Sequence, residues 1–433
     1  MLVFISDLHI SDGSVANFNL PARAFTGVFE DLAQHAKKAD AKKLQFVLLG
    51  DVFDLIETQH WLGVPADDHP WGATPSEEAA LEGLRKVIRH NQGIFDLFQG
   101  GLKRHFPDIA EVTVTYVPGN HDRPVNLYPS LRQEAITALG LDHPNPDEPF
   151  LWHFYDVEHR TFARHGHEYD AWNYTGGRDL EPDAHLGTPI GDVLTSLLVV
   201  KLLPAVAEAL QHLLTPEEIS QITENLGEMF DVRPMDALIA YLANHVSSMD
   251  DPQVRSAIDL AIRRTAEEFA QVDFVRRWLR GPLTFQRFII KALLFVLAHS
   301  SVMTLGKYRR LVKWLASFNP SSATDKYTEP ALRALRRLRQ REASRGVRYI
   351  LYGHTHAPRQ VPLSAPAGGV GEQCFYLNTG TWRPAYDETA DESGFVGSKG
   401  LTYTIIYSPE ENRESAQPPF VEAWTGMLKD DDL

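Results

Sequence analysis

Five short apolar runs spread along the chain each end in residues able to ligate a metal. Asp7-Leu8-His9 follows Leu2 to Ile5, and Gly50-Asp51-Val52-Phe53-Asp54 follows Leu44 to Leu49. Gly119-Asn120-His121-Asp122 follows Val112 to Val117, His165-Gly166-His167 follows Phe162-Ala163, and Gly353-His354-Thr355-His356 follows Val347 to Leu351. Short β-branched or apolar runs of this kind predict buried strands rather than helices. The polar clusters then sit just past strand ends, where the loops of layered α/β folds converge on a site. Asp, His and Asn offer oxygen and nitrogen donors suited to manganese, iron(II) or zinc, and no cysteine is among them. Two such cations sharing one carboxylate is the economical reading.

The order Asp-x-His, Gly-Asp-x-x-Asp, Gly-Asn-His-Asp, His-Gly and Gly-His-x-His resembles the calcineurin-like metallophosphoesterases over roughly residues 1–170 and 345–410. The resemblance implies an α/β fold in which a two-sheet β-sandwich is flanked by helices. It implies two divalent metal ions, manganese favoured and iron(II) or zinc accepted. Carried over residue by residue, Asp7, His9 and His356 would hold one ion, Asn120, His165 and His354 the second, and Asp51 would bridge them. A carboxylate serves two cations about 3.5–4 Å apart, and a hydroxide between them would attack phosphorus in line. His121 would stabilise charge on the phosphate or protonate the leaving oxygen, with Asp122 orienting it from behind.

Blander readings stand beside these. An Asp after a strand is commonly a helix cap, which applies to Asp7, Asp51 and Asp122 taken singly. Asp54 is either a support for the ligands or an acid favoured by a helix dipole, and it stays outside the expected site. His167 is either a substrate contact or an ordinary loop histidine. Arg383, in Asn378-Thr379-Gly380-Thr381-Trp382-Arg383-Pro384, is either a substrate contact or part of a plug between loops.

Residues 190–345 read as a nearly all-helical insertion forming a cap, set between catalytic segments 1–189 and 346–433. Thr215-Pro216-Glu217-Glu218 and Asp251-Pro252 carry helix-start chemistry. This region holds 21 Lys plus Arg against 17 Asp plus Glu, whereas the remainder holds 21 against 40. Its basic groups are Arg276, Arg277, Arg280 and Arg287, then Lys307, Arg309, Arg310 and Lys313, then Arg333, Arg336, Arg337, Arg339 and Arg341. They are solvated helix faces, or grips for a polyanionic substrate or an anionic membrane surface. The apolar stretch from Thr284 to Ala298 is interrupted by Arg287 and Lys291. It is too short to span a bilayer, and reads as a core helix, an acyl-chain slot or a helix at the membrane interface.

That combination is similar to one branch of the family, the UDP-2,3-diacylglucosamine pyrophosphatases, which also insert helices between the His-Gly and Gly-His-x-His motifs. This chain departs in having His121 where the branch has Arg, and in a far longer insertion. The expected activity is therefore hydrolysis of a small or lipid-linked phosphodiester or pyrophosphate. The alternative is a soluble cyclic-nucleotide or nucleic-acid phosphodiesterase, followed by a non-catalytic scaffold. A net charge of −15 argues against a nucleic-acid partner. One cysteine, Cys374, and an N-terminus without the charge and apolar run of a signal peptide fit a cytoplasmic protein, with a peripheral membrane position as the variant. Oligomeric state is not legible.

Overall fold

The structure, a computed structural model, describes residues 1–427 except 16–18, 101, 143–144, 178–179, 181, 234–237, 300–326, 342–343, 345, 365–372, 390, 392–393 and 412–420. The basic group at Lys307, Arg309, Arg310 and Lys313 lies outside the described residues. In chain order the strands are β1 (Leu2–Ile5), β2 (Lys43–Leu49), β3 (Glu111–Val117), β4 (Phe154–Asp156), β5 (Thr161–Ala163), β6 (Val232–Arg233), β7 (Tyr349–Tyr352), β8 (Arg359–Ser364), β9 (Cys374–Asn378), β10 (Ala385–Glu388), β11 (Phe395–Ser398), β12 (Gly400–Ile406) and β13 (Val421–Met427). They form a mixed α/β architecture with two five-stranded mixed sheets, ordered β13-β12-β1-β2-β3 and β4-β5-β7-β9-β8, and a small sheet β11-β10-β6.

The strands nearest the site are parallel within each large sheet. β1 pairs in parallel with β2, and β2 with β3, while in the second sheet β5, β7 and β9 run parallel. β1, β7 and the second half of β2 are continuous apolar runs because both faces are covered, whereas β3 alternates through Val112, Thr113, Val114 and Thr115 with its first residues exposed or half-buried. Leu2, Phe4, Val47, Leu49, Val117 and Ile406 of the first sheet share one buried cluster with Ala163, Tyr349, Leu351 and Leu377 of the second. The intervening positions Val3, Ile5, Phe46, Leu48 and Ile405 face the opposite way, into a core with helix Ala22–Lys38, which contributes Phe25, Val28, Phe29 and Leu32 at helical spacing. Two sheets therefore meet face to face, with helices on the outside of the first.

The helical segment between β5 and β7 has a core of its own, built from Val200, Leu203, Val206, Leu226, Phe230, Val246, Ile258 and Ile262 among others. Its caps form where the sequence places them. Thr215 and Glu218 make a reciprocal capping box, and the Asp251 side chain accepts from the Gln253 amide. One helical run, Ile190–Leu210, is long and apolar enough to cross a membrane by length and composition among the described residues. It passes through a π turn at Thr195–Val200 and places Val193 and Leu198 in the main core and Val200 to Leu210 in the helical core.

One helix within residues 190–345 packs elsewhere. Thr328–Arg339 lays Ala331 and Leu335 on the outer face of the second sheet, against Ile350, Tyr352 and Tyr376. By packing it belongs with the sheets; of the arginines in its last turn, Arg339 reaches Cys374 Sγ of β9, and Arg336 and Arg337 are exposed.

The inter-sheet cluster implies a measurable contrast. Leu377→Ala is expected to lower the unfolding free energy by about 2–5 kcal/mol in urea denaturation. Leu283→Ala, at a side chain 73% exposed, is expected to change it by less than about 0.5 kcal/mol.

Candidate metal centre

The loops that follow β1, β2, β3, β5 and β7 interlock before any side chain is considered. The Asp7 amide donates to Gly50 O at 3.0 Å, His9 to Asp51 O at 2.8 Å, and Gly353 to His165 O at 2.8 Å. These loops adopt a conformation that L residues avoid. Asp7, His9, Asp51, His354 and His356 have φ of 53°, 44°, 50°, 68° and 58°. Five of the seven expected ligands thus sit in left-handed backbone, at about 1–3 kcal/mol each, a strain that clusters at functional sites.

Close approach is secured by glycine. A Cβ on Gly119 would lie 2.1 Å from Asp51 Oδ1, and one on Gly50 would meet the His165 ring at 2.4 Å. No side chain larger than hydrogen lets these loops close on the carboxylate.

Among the described residues the side chains converge as three groups: two contain only expected ligands, and the third, His9, Asp54 and His121, shares His9 with the first of these. Asp7, His9 and His356 each offer a ligand atom, all within 4.8 Å of one another, and so do Asp51, His165 and His354. In the first, His9 Nε2 is 3.0 Å from His356 Nε2, and His356 Nε2 is 3.3 Å from Asp7 Oδ1. In the second, His165 Nε2 is 3.1 Å from Asp51 Oδ2 and 3.2 Å from Asn120 Oδ1. Asp51 Oδ2 is also 3.6 Å from His9 Nε2, so this one carboxylate oxygen stands between the groups. His165 Nδ1 donates to Leu49 O at 2.9 Å, which leaves Nε2 as the nitrogen able to accept a cation. The donor set, all imidazole, carboxylate and amide oxygen, fits a borderline or hard divalent cation.

His121 is brought to the same place, its ring 4.5 Å from that of His9, and its amide donates to Asp51 Oδ1 at 2.9 Å. The orienting residue differs from the expected one. Asp122 accepts from the amides of Val52 at 2.8 Å and Gly119 at 2.5 Å, tying two ligand loops together instead of reaching His121. Asp54 holds His121, with Oδ1 3.1 Å from its Nδ1, while Oδ2 lies 3.0 Å from His9 Nδ1. The second Asp of Gly-Asp-x-x-Asp was the available signal for this role.

Arg383 does not present its guanidinium to an open cleft. It is 9% exposed and contacts the carboxylates of Asp54, Glu57 and Asp231. His167 is buried among the rings of Trp152, Tyr174 and His185, beside His165, with no hydrogen bond from either ring nitrogen. Sequence reasoning missed two residues at the second group: Asp170 Oδ2 and Asn173 Nδ2 each lie 3.5 Å from His354 Nε2.

Burial and mutual charge set the protonation of the cluster. Burial, reinforced by His121, brings His9 down to about 3, which keeps it the neutral imidazole a metal requires. Burial alone would lift Asp51, but His165 and His121 hold it well below the usual carboxylate range. Burial opposes a charged His165, yet the carboxylates of Asp51 and Asp7 push it up to about 10. For His121 burial is likewise overcome, by Asp54 and Asp51, which raise it well above the ordinary imidazole value.

No family model matches the chain, and no curated protein matches it.

Two measurements test this geometry. Gly119→Ala is expected to displace Asp51 and cut metal affinity by at least about tenfold, read by titration calorimetry, while the fold persists by circular dichroism. The carboxylates of Asp51 and Asp7, against the pull of burial, favour a second proton on His165, at Nε2, up to about pH 10 in the metal-free protein, so a cation must displace it. Manganese binding near neutral pH is therefore expected to release protons, and affinity to rise with pH, measurable by calorimetry in buffers of different ionisation enthalpy.

Proposed function

We propose that the chain is a two-metal-dependent phosphoester hydrolase of the calcineurin-like metallophosphoesterase type. The observation that carries this reading is the pair of His and carboxylate groups meeting at Asp51 on strained backbone at the ends of parallel strands. Asp7, His9 and His356 are suited to hold one cation, Asn120, His165 and His354 the other, and Asp51 both. When bound, such a pair supplies Lewis acidity at the phosphoryl oxygens and an activated water as nucleophile.

The remaining chemistry falls to the chain. His121, anchored through Nδ1 to Asp54, would turn Nε2 toward the departing oxygen and supply the proton that it takes. Asp122 fixes the Gly119 and Val52 amides and so the spacing of the Asn120 and Asp51 loops. In this reading the outer helices and the two facing sheets are the family's sandwich, and the helices from Ile190 to His299 are its cap.

For substrate, a small or lipid-linked phosphodiester or pyrophosphate fits best. The acidic body disfavours a long polyanion. Leu283, Phe288 and Phe295 are exposed on and beside helix Phe285–His299, next to Arg280 and Lys291, a combination suited to an acyl chain or an anionic membrane surface. A cytoplasmic protein working at the membrane face follows from that reading.

The test is metal content of the protein grown with manganese, followed by hydrolysis of a phosphomonoester, a cyclic nucleotide, a linear diester and a UDP-linked acyl sugar. Wild type is expected to bind two equivalents and to prefer a diester or pyrophosphate. Asp51→Asn is expected to lose metal and turnover together, whereas His121→Ala keeps the metal and loses about 10²–10⁴ in kcat. Wild-type protein that binds no metal and cleaves nothing overturns the proposal.

A further inference from the structure

A chain of buried charges runs from the helical segment to His9, a member of the first group, and to His121 beside it. Besides His9 and His121, Asp54 accepts from the amides of Ile56 at 3.1 Å and Glu57 at 2.8 Å, and from Arg383 Nη1 at 3.3 Å. Arg383 Nη1 also makes an ion contact with Glu57 Oε2 at 2.5 Å, and its Nε one with Asp231, both charge contacts without hydrogen-bond geometry. Asp54 and Asp231 are both 0% exposed.

Asp231 is not part of the sheets that carry the ligands. It ends the turn Glu228–Asp231 of the helical segment, and its position is fixed because β6, which follows immediately, pairs in parallel with β10. β10 starts at Ala385, so the strand pairing that anchors Asp231 also anchors the loop carrying Arg383. A second buried pair joins the same two regions. Arg123, two residues after His121, donates from Nη2 to Asp192 of helix Ile190–Leu194 at 2.8 Å, with each side chain 2% exposed.

Buried ion pairs are a poor way to gain stability, since well-packed apolar groups serve as well or better. What a saturated carboxylate does achieve is orientation. Asp54 fixes the ring planes of His9 and His121 only while its own two oxygens cannot rotate. Arg383 donates to Oδ2, and the buried charges of Asp231 and Glu57 beside the guanidinium keep it in place. A guanidinium stays charged when buried, so it can be shared among several carboxylates.

We propose that the helical segment is part of the catalytic centre itself, with Asp231 a positioning residue that acts through Arg383 and Asp54 to hold His9 and His121. This inference rests on the metal-hydrolase reading above.

The test uses the full-length manganese-loaded protein and whichever substrate of the panel wild type cleaves. Asp231→Asn keeps the shape and removes the charge. It is expected to lower kcat by about 10- to 100-fold, with KM and metal content unchanged at saturating manganese. Asp231→Glu is expected to recover part of that loss, and Arg383→Lys, which keeps charge but not the fork, to reproduce the kcat defect. In nitrogen-15 histidine spectra of the metal-free protein, Asp231→Asn is expected to shift the Nδ1 signals of His9 and His121 and leave that of His159 in place. Should Asp231→Asn be too unstable to purify, Arg383→Lys and Asp231→Glu carry the same comparison. Full wild-type kcat in Asp231→Asn, or a loss that only tracks thermal stability with unmoved histidine signals, overturns the inference while leaving the hydrolase reading intact. Wild-type protein without metal or turnover overturns both.

Discussion

One carboxylate oxygen, Asp51 Oδ2, faces an imidazole from each of the two large sheets: His9 beyond β1 and His165 beyond β5. The site is therefore a seam, and its existence depends on how closely the sheets are held. The holding is apolar and lies directly beneath, where Phe4, Leu49 and Val117 meet Ala163 and Leu351. A packed core does not deform continuously, so it can impose on the loops above it a backbone they would not choose. The left-handed residues Asp7, His9, Asp51, His354 and His356 are the visible result. Their strain is tolerable only because the strands on both sides fix where each loop begins and ends.

Around that seam the charges are arranged by type of partner. His165 faces Asp51 and is drawn toward the charged form, whereas His9, crowded by His121 and buried, is driven to the neutral one. Asp54 touches both His9 and His121 through their Nδ1 atoms, so one side chain decides which nitrogen of each ring faces the seam. Roles that a list of ligands would assign to separate residues are set by a few shared carboxylates in a low-dielectric space, where each interaction is strong and each unmet group costly.

The cluster of Asp and His side chains that could hold a metal was legible in the sequence because metal chemistry restricts residue type and strand ends restrict position. The supporting residues were not, because their partners are distant along the chain. Asp122 adjoins His121, yet the turn after β3 carries its carboxylate back to the amides of Gly119 and Val52. Asp54 reads equally as a support for the ligands or as an acid of a first turn, and only its contacts with His121 and His9 decide for the first. Arg383 reads as a substrate contact or a plug between loops because Asp231, buried against it, lies within a helical stretch with no motif. Helix Thr328–Arg339 shows the same limit at the level of elements: its apolar positions Ala331 and Leu335 say that one face is covered, and nothing local says that the cover is the second sheet. The helix caps at Thr215 and Asp251 were legible because capping is settled within four residues.

The connection between β5 and β7 has a consequence for synthesis. These strands are neighbours in the second sheet, but residues 164–348 separate them, and at ribosomal speed that is a wait of roughly 10–40 s. Through that interval the nascent chain carries β5 with an unpaired edge, a template for wrong association. The intervening helices have their own core and can collapse first, crowding that edge while it waits. His354 and His356 arrive only with β7, and β12, which lies between β1 and β13 in the first sheet, arrives later still. A chain released early thus has half a seam, and its acidic loops are incomplete as a cation trap until almost the whole protein has left the ribosome.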